Sequence, residues 1–131
     1  MAIPGFGAGS SASPTEFRLS LHGLDTDVGV TIAAAAVDAG NTPTTTLRKG
    51  LVLGKVTATG KYKEYDPSAS DGTETAALIL VDQVDMLQDS TDGATPRDQL
   101  ATGMQHGVVD ESRLHGCDAA AKAALDNVIF M

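Results

Sequence analysis

Leu51-Val52-Leu53-Gly54-Lys55-Val56-Thr57-Ala58-Thr59-Gly60-Lys61-Tyr62 decides the fold class. Leu51, Val52 and Leu53 are apolar in succession, which places side chains on both faces of a strand and makes it central in a sheet. The strand reading covers residues 51–59. Gly60 supplies a turn, and a second strand follows over residues 61–65. The same stretch imitates a phosphate-binding loop, but five residues separate Gly54 from Gly60 where that motif has four. Tyr62 also stands where a Ser or Thr hydroxyl is needed.

Working outward, residues 76–81 form a short, wholly apolar run that reads as a buried strand. Residues 28–37 are rich in Val, Ile and Ala and read as another. Asn41-Thr42-Pro43 marks a turn between strands, because Pro cannot continue a ladder. Residues 66–73 and 89–96 have loop composition, with a turn at Asp92-Gly93. Residues 99–110 read as a strand interrupted at Gly103 and Gly107. Asp118 caps a predicted helix over residues 118–126, which is too short to persist unless it packs through Ala121 and Leu125. Val128-Ile129-Phe130 then returns to the sheet. The expected fold is mainly β with one short C-terminal helix.

Composition adds a constraint. The chain has 131 residues, no Trp, three Phe and two Tyr, so its core is built from Ala, Val, Leu and Ile. Side chains this small bury little area each, at about 25 cal/mol per Å². A domain with so lean a core gains by covering more surface against its siblings or a larger partner. Nine basic residues against seventeen acidic ones give a net charge of −8, which argues against nucleic acid and anionic membrane as partners. No signal-like segment opens the sequence, and no apolar run is long enough to span a bilayer, so folding in a cytoplasm is expected.

Residues 1–15 carry no charge and are rich in Gly, Pro, Ser and Thr, a composition that does not order itself. Ile3, Phe6 and Phe17 punctuate this region. It is expected to form an arm that is flexible when free and places apolar side chains in a partner's pockets.

No stretch of the sequence assembles a catalytic constellation. Gly5-Phe6-Gly7-Ala8-Gly9-Ser10 lacks the strand and helix that flank a dinucleotide fingerprint. Asp66-Pro67-Ser68-Ala69-Ser70-Asp71-Gly72 has Asp where a calcium loop needs its turn glycine, and no Glu at the twelfth position. His106, Asp110, His115, Cys117 and Asp118 are metal-capable, yet their spacing matches no zinc pattern. On one strand, His106 and Asp110 would stand about 13 Å apart. Cys117, the single cysteine, precedes a helix start that would lower its pKa, although a lone Cys is ordinarily a small packed residue. No catalytic residue, cofactor or metal is assigned, and the chain is read as not an enzyme.

The order of segments is informative. Glu16-Phe17-Arg18-Leu19-Ser20 is followed by a Val/Thr/Ala strand, by the block from Leu47-Arg48-Lys49-Gly50 through Tyr62, and by Tyr65-Asp66-Pro67-Ser68-Ala69-Ser70-Asp71-Gly72-Thr73-Glu74-Thr75-Ala76-Ala77-Leu78-Ile79-Leu80. This resembles the head decoration protein D family of lambda-like tailed phages, from about Phe17 to Phe130, with residues 51–80 the specific part. Leu78 and Leu114-His115-Gly116-Cys117 depart from the family pattern, which has a Gly and a Pro there. The resemblance implies a β-clip-type body over residues 21–131 and a capsid-binding arm over residues 1–20, with Ile3, Pro4, Phe6, Phe17 and Leu19 as arm contacts. It further implies a homotrimer at three-fold positions on the outer surface of an expanded head, bound to the major capsid (coat) protein and resisting internal DNA pressure. The alternatives are a trimeric adhesive or receptor-binding module on the virion, or a small metal-dependent enzyme using His106, His115 and Cys117.

Overall fold

The computed structural model describes residues 17–20 and 26–131. Among the described residues, nine strands and one α-helix follow in chain order: β1 Val28–Ile32, β2 Thr46–Leu47, β3 Val52–Lys55, β4 Tyr62–Glu64, β5 Ala76–Leu80, β6 Val84–Asp85, β7 Gln99–Met104, β8 Gly107–Val109, α1 Ala119–Ala124 and β9 Val128–Phe130. A 3₁₀ turn at Glu111–Arg113 precedes the helix. The chain is mainly β with one short C-terminal helix, as its patterning implies.

Five strands close into a small barrel in the order β1-β4-β3-β5-β7. All contacts are antiparallel except β1–β4, which meet in parallel through Ile32 and Tyr62. β3 lies between β4 and β5, the central position that the Leu51-Val52-Leu53 run demands. Its side chains alternate between two cores. Leu53 joins Leu78, Leu80, Ile32, Leu47 and Met86 in one cluster, while Val52 joins Ile79, Met104, Val109, Ala121 and Leu125 in the other. β5 divides in the same way, with Leu78 and Leu80 on one side and Ile79 on the other. The pairing is therefore buried on both faces, and α1 and the β8–β9 ribbon contribute to the second core.

Two short ribbons complete the body. β2 pairs with β6, and β8 runs parallel to β9 with Gly107, Val108 and Val109 opposite Val128, Ile129 and Phe130. The terminal apolar strand thus returns to β8 and not to the barrel.

Several expected boundaries shift, each for a local reason. The strand read over residues 28–37 ends at Ile32, because the next amides find other acceptors: Ala33 N–H reaches the Tyr62 carbonyl, Ala34 N–H the Asp98 carboxylate and Val37 N–H the Glu64 carboxylate. The strand read over residues 51–59 stops at Lys55, where Val56 N–H closes a tight connection onto the Lys61 carbonyl and Gly60 takes φ +74°. Gly103 does not interrupt β7. It admits a close neighbour, since a Cβ there would lie 2.6 Å from Leu78 Cδ1. The break falls instead at residues 105–106.

Gly54 is the tightest approach in the central pairing. The β3–β5 register shifts between Leu53 and Gly54, a bulge that bends the strand as barrel closure requires. A Cβ at Gly54 would lie 2.6 Å from Thr73 Cα and 2.8 Å from the Thr73 carbonyl oxygen. Both are backbone atoms, so no side-chain rotation relieves the clash. Gly54→Ala is expected to destabilise the body by about 1–3 kcal/mol, read as a lowered thermal midpoint; an unchanged midpoint would show that this approach is not tight.

Candidate functional site

The residues expected to bind a partner cluster near the start of the chain. Ile3, Pro4 and Phe6 lie outside the described residues. Phe17 and Leu19 lie within them, and the body treats the two differently. Phe17 is fully buried in the second core, whereas Leu19 is exposed.

Residues 17–19 run antiparallel along β8. Asp110 N–H donates to the Phe17 carbonyl at 2.7 Å, Leu19 N–H donates to the Val108 carbonyl at 2.9 Å, and Arg18 faces Val109. They thereby extend the β8–β9 ribbon by one short strand. Arg18 Nη2 also donates to Asp27 Oδ2 at 2.7 Å, with both side chains about nine-tenths buried. Taking two charges out of water is costly, so this pair holds only while both partners stay in place. Phe17, the strand hydrogen bonds and the ion pair together fix the root from which residues 1–16 depart. Phe17, within the stretch expected to be arm, has its side chain in the core of the body.

The metal-capable residues are separately engaged. Asp110 caps the 3₁₀ turn, accepting from Ser112 N–H and Oγ, and pairs with Arg113. Asp118 accepts from Ala121 N–H at 2.8 Å, as a helix cap should, and also from the Tyr65 hydroxyl at 3.0 Å. Burial and that carboxylate push the Tyr65 phenol above its ordinary pKa. Among the described residues no group of three or more His, Cys, Asp or Glu side chains is arranged to hold a metal ion. Cys117 departs from the lowered pKa expected beside a helix start. Burial, followed by the Glu111 charge, pushes its thiol up. The helix it precedes has only six residues, so its dipole offers little compensation.

A second polar cluster surrounds a cleft of about 410 Å³ lined in part by Asp38, Arg48, Glu64, Tyr65 and His115. Arg48 Nε and Nη2 donate to the two oxygens of buried Asp38 at 2.7 and 3.0 Å, and Arg48 N–H adds a third bond. Burial alone would raise the Asp38 pKa, but these bonds and the Arg48 charge outweigh it and hold it below the ordinary value. Burial and the Arg48 charge hold His115 low, against the opposing pull of Asp38. This arrangement ties the 38–48 loop together and presents no nucleophile beside a base.

The loop over residues 66–73 is likewise self-satisfied. Asp66 accepts from Ser68 N–H and Oγ, and Asp71 from Thr73 N–H and Oγ1, in local turns. These bonds hold both carboxyls below the ordinary range. The phosphate-loop look-alike at residues 54–62 forms the β3–β4 connection, where Gly60 serves the turn.

Compared with known families, the sequence matches the model described as bacteriophage lambda head decoration protein D over residues 24–128, well over half of the chain. No individual curated protein matches it.

The seating of Phe17 has a direct test. Phe17→Ala removes a fully buried aromatic and is expected to cost the body about 3–5 kcal/mol, measured by denaturant unfolding. A loss below about 1 kcal/mol would mean that Phe17 belongs to the arm and not to the core.

Proposed function

The chain belongs to the bacteriophage lambda head decoration protein D family, and from that premise we propose that it binds as a homotrimer at three-fold positions on the outer surface of the expanded head. Family membership makes it a capsid decoration protein, a structural component of the virion head. The proposed role is that of a clamp: each trimer spans neighbouring coat subunits and resists the outward pressure of packaged DNA.

The observation that carries this reading is the construction of the arm root. Residues 17–19 are fastened to β8 by two backbone hydrogen bonds and to Asp27 by a buried ion pair. Ahead of them stand Glu16 and fifteen residues without a charged side chain, with Ile3, Pro4 and Phe6 spaced along them. A fixed root preceded by a segment of this composition suits an arm that orders on a coat subunit. Strand addition would supply backbone hydrogen bonds for affinity, and spaced apolar side chains would fill pockets for specificity. Three arms per trimer convert modest affinity per arm into firm retention, provided that all three reach their sites together.

The role is structural and not catalytic. Five acidic side chains of the described loops serve turns and caps: Asp66, Asp71, Asp92, Asp110 and Asp118 each accept from a backbone amide two or three residues on. The net charge of −8 accords with a partner that is protein and not nucleic acid.

Removal of residues 1–15 is expected to leave a cooperatively melting, self-associating body while abolishing co-sedimentation with expanded, undecorated heads. Retained binding would deny the arm its role, and an unfolded truncation would deny the division between arm and body.

A further inference from the structure

The layer formed by α1 and the β8–β9 ribbon roofs only part of the barrel. On β7, Leu100, Thr102 and Met104 share the outward side, since alternate residues of a strand project from one face. Met104 is fully buried in the second core, whereas Leu100 is 85% exposed, the most open large hydrophobic side chain among the described residues. β1 continues the bare wall. Its Val28, Val30 and Ile32 turn inward to the first core, so Gly29 and Thr31 turn outward, opposite Thr102 and Leu100.

Two features of this wall serve nothing within the described chain. Glycine weakens a strand relative to alanine, yet the backbone of Gly29 is ordinary strand. A Cβ there would meet no described atom within 4 Å beyond its chain neighbours. Glycine in such a place marks the close approach of another backbone. Beside it, β1 meets β4 at a single pair, Ile32 with Tyr62. Along the rest of that seam lies a cleft of about 500 Å³, lined in part by Gly29, Thr31, Gly60 and Lys61.

The charge pattern selects the occupant. Neither β1 nor β7 contains a charged residue. The acids at their ends are held in ion pairs, Asp27 with Arg18 and Asp98 with Lys61. Copies of a chain with net charge −8 repel one another, so they meet best where acidic side chains are absent or paired. A partner of opposite charge would instead be drawn to the acidic surface. The wall also carries both halves of a fit, a projecting Leu100 and a recess beside Gly29.

We propose that this wall is the contact between copies of the chain, with Leu100 of one copy seated in the recess beside Gly29 of the next. The inference rests on the proposed homotrimer and names the surface that builds it. Because knob and recess differ, the contact is heterologous, and it closes into a ring when the rotation between copies is three-fold. Each copy then covers on its neighbour what α1 and the ribbon leave bare.

The test follows the mass of the full chain by analytical ultracentrifugation across a dilution series. Leu100→Asp and Gly29→Val are each expected to keep the parent's circular dichroism and to weaken association by at least about tenfold. Leu100→Met preserves an apolar knob and is expected to associate as the parent does. Gly29→Val is the sharper probe, because valine favours a strand and local effects alone would leave the assembly unchanged. Unchanged association of the aspartate and valine variants would overturn the inference. So would variants that keep the parent's mass but lose binding to expanded heads, which would assign the wall to the coat. Should Leu100→Asp unfold, Leu100→Ser carries the same expectation. A parent chain that stays monomeric would instead overturn the homotrimer reading itself.

Discussion

The structure depends on one pairing, β3 against β5, buried on both faces. Leu53, Leu78 and Leu80 fill one core, and Val52 and Ile79 fill the other. Because one pair of strands serves both, the barrel cannot loosen without also loosening the layer formed by α1 and the β8–β9 ribbon. Gly54 and Gly103 sit at the close approaches that bring this arrangement together. A core assembled from small aliphatic side chains gains stability mainly by such sharing, since no large aromatic cluster is available.

The same constraint reaches the surface that matters for function. Phe17 is the largest fully buried side chain of the second core and also the point at which the N-terminal segment enters the body. The root of the proposed arm thus shares a core with Val52 and Ile79 of the β3–β5 pairing. For a decoration protein whose proposed task is to grip a pressurised shell, a firm root for the proposed arm is mechanically sensible. The ion pair of Arg18 with Asp27 and the link from Tyr65 to Asp118 add polar ties.

Much of this was legible in the residues. The unbroken Leu51-Val52-Leu53 run and the apolar 76–81 stretch marked the central strands, because only a strand buried on both faces affords such continuity. Asp118 ahead of an alanine-rich stretch marked the helix and its cap, and Ala121 and Leu125 are indeed its buried contacts. The short strands at Thr46–Leu47 and Val84–Asp85 were not legible, since two residues carry no periodicity. The ends of β1 and β3 were misjudged because side chains distant in sequence, Glu64 and Asp98, together with turn bonds took over the backbone amides. Phe17 read as part of an arm because its neighbours have arm composition, and only tertiary packing reveals it as core.

The central claim is that a doubly buried barrel presents a fixed root and its arm to the shell of a phage head. Electron-microscopic reconstruction of expanded heads incubated with the purified chain tests this most directly. The account requires three-lobed density on the outer surface at the three-fold positions, with the β8–β9 ribbon of each lobe turned toward the coat. Bare shells, or lobes attached by the opposite end of the barrel, would contradict it.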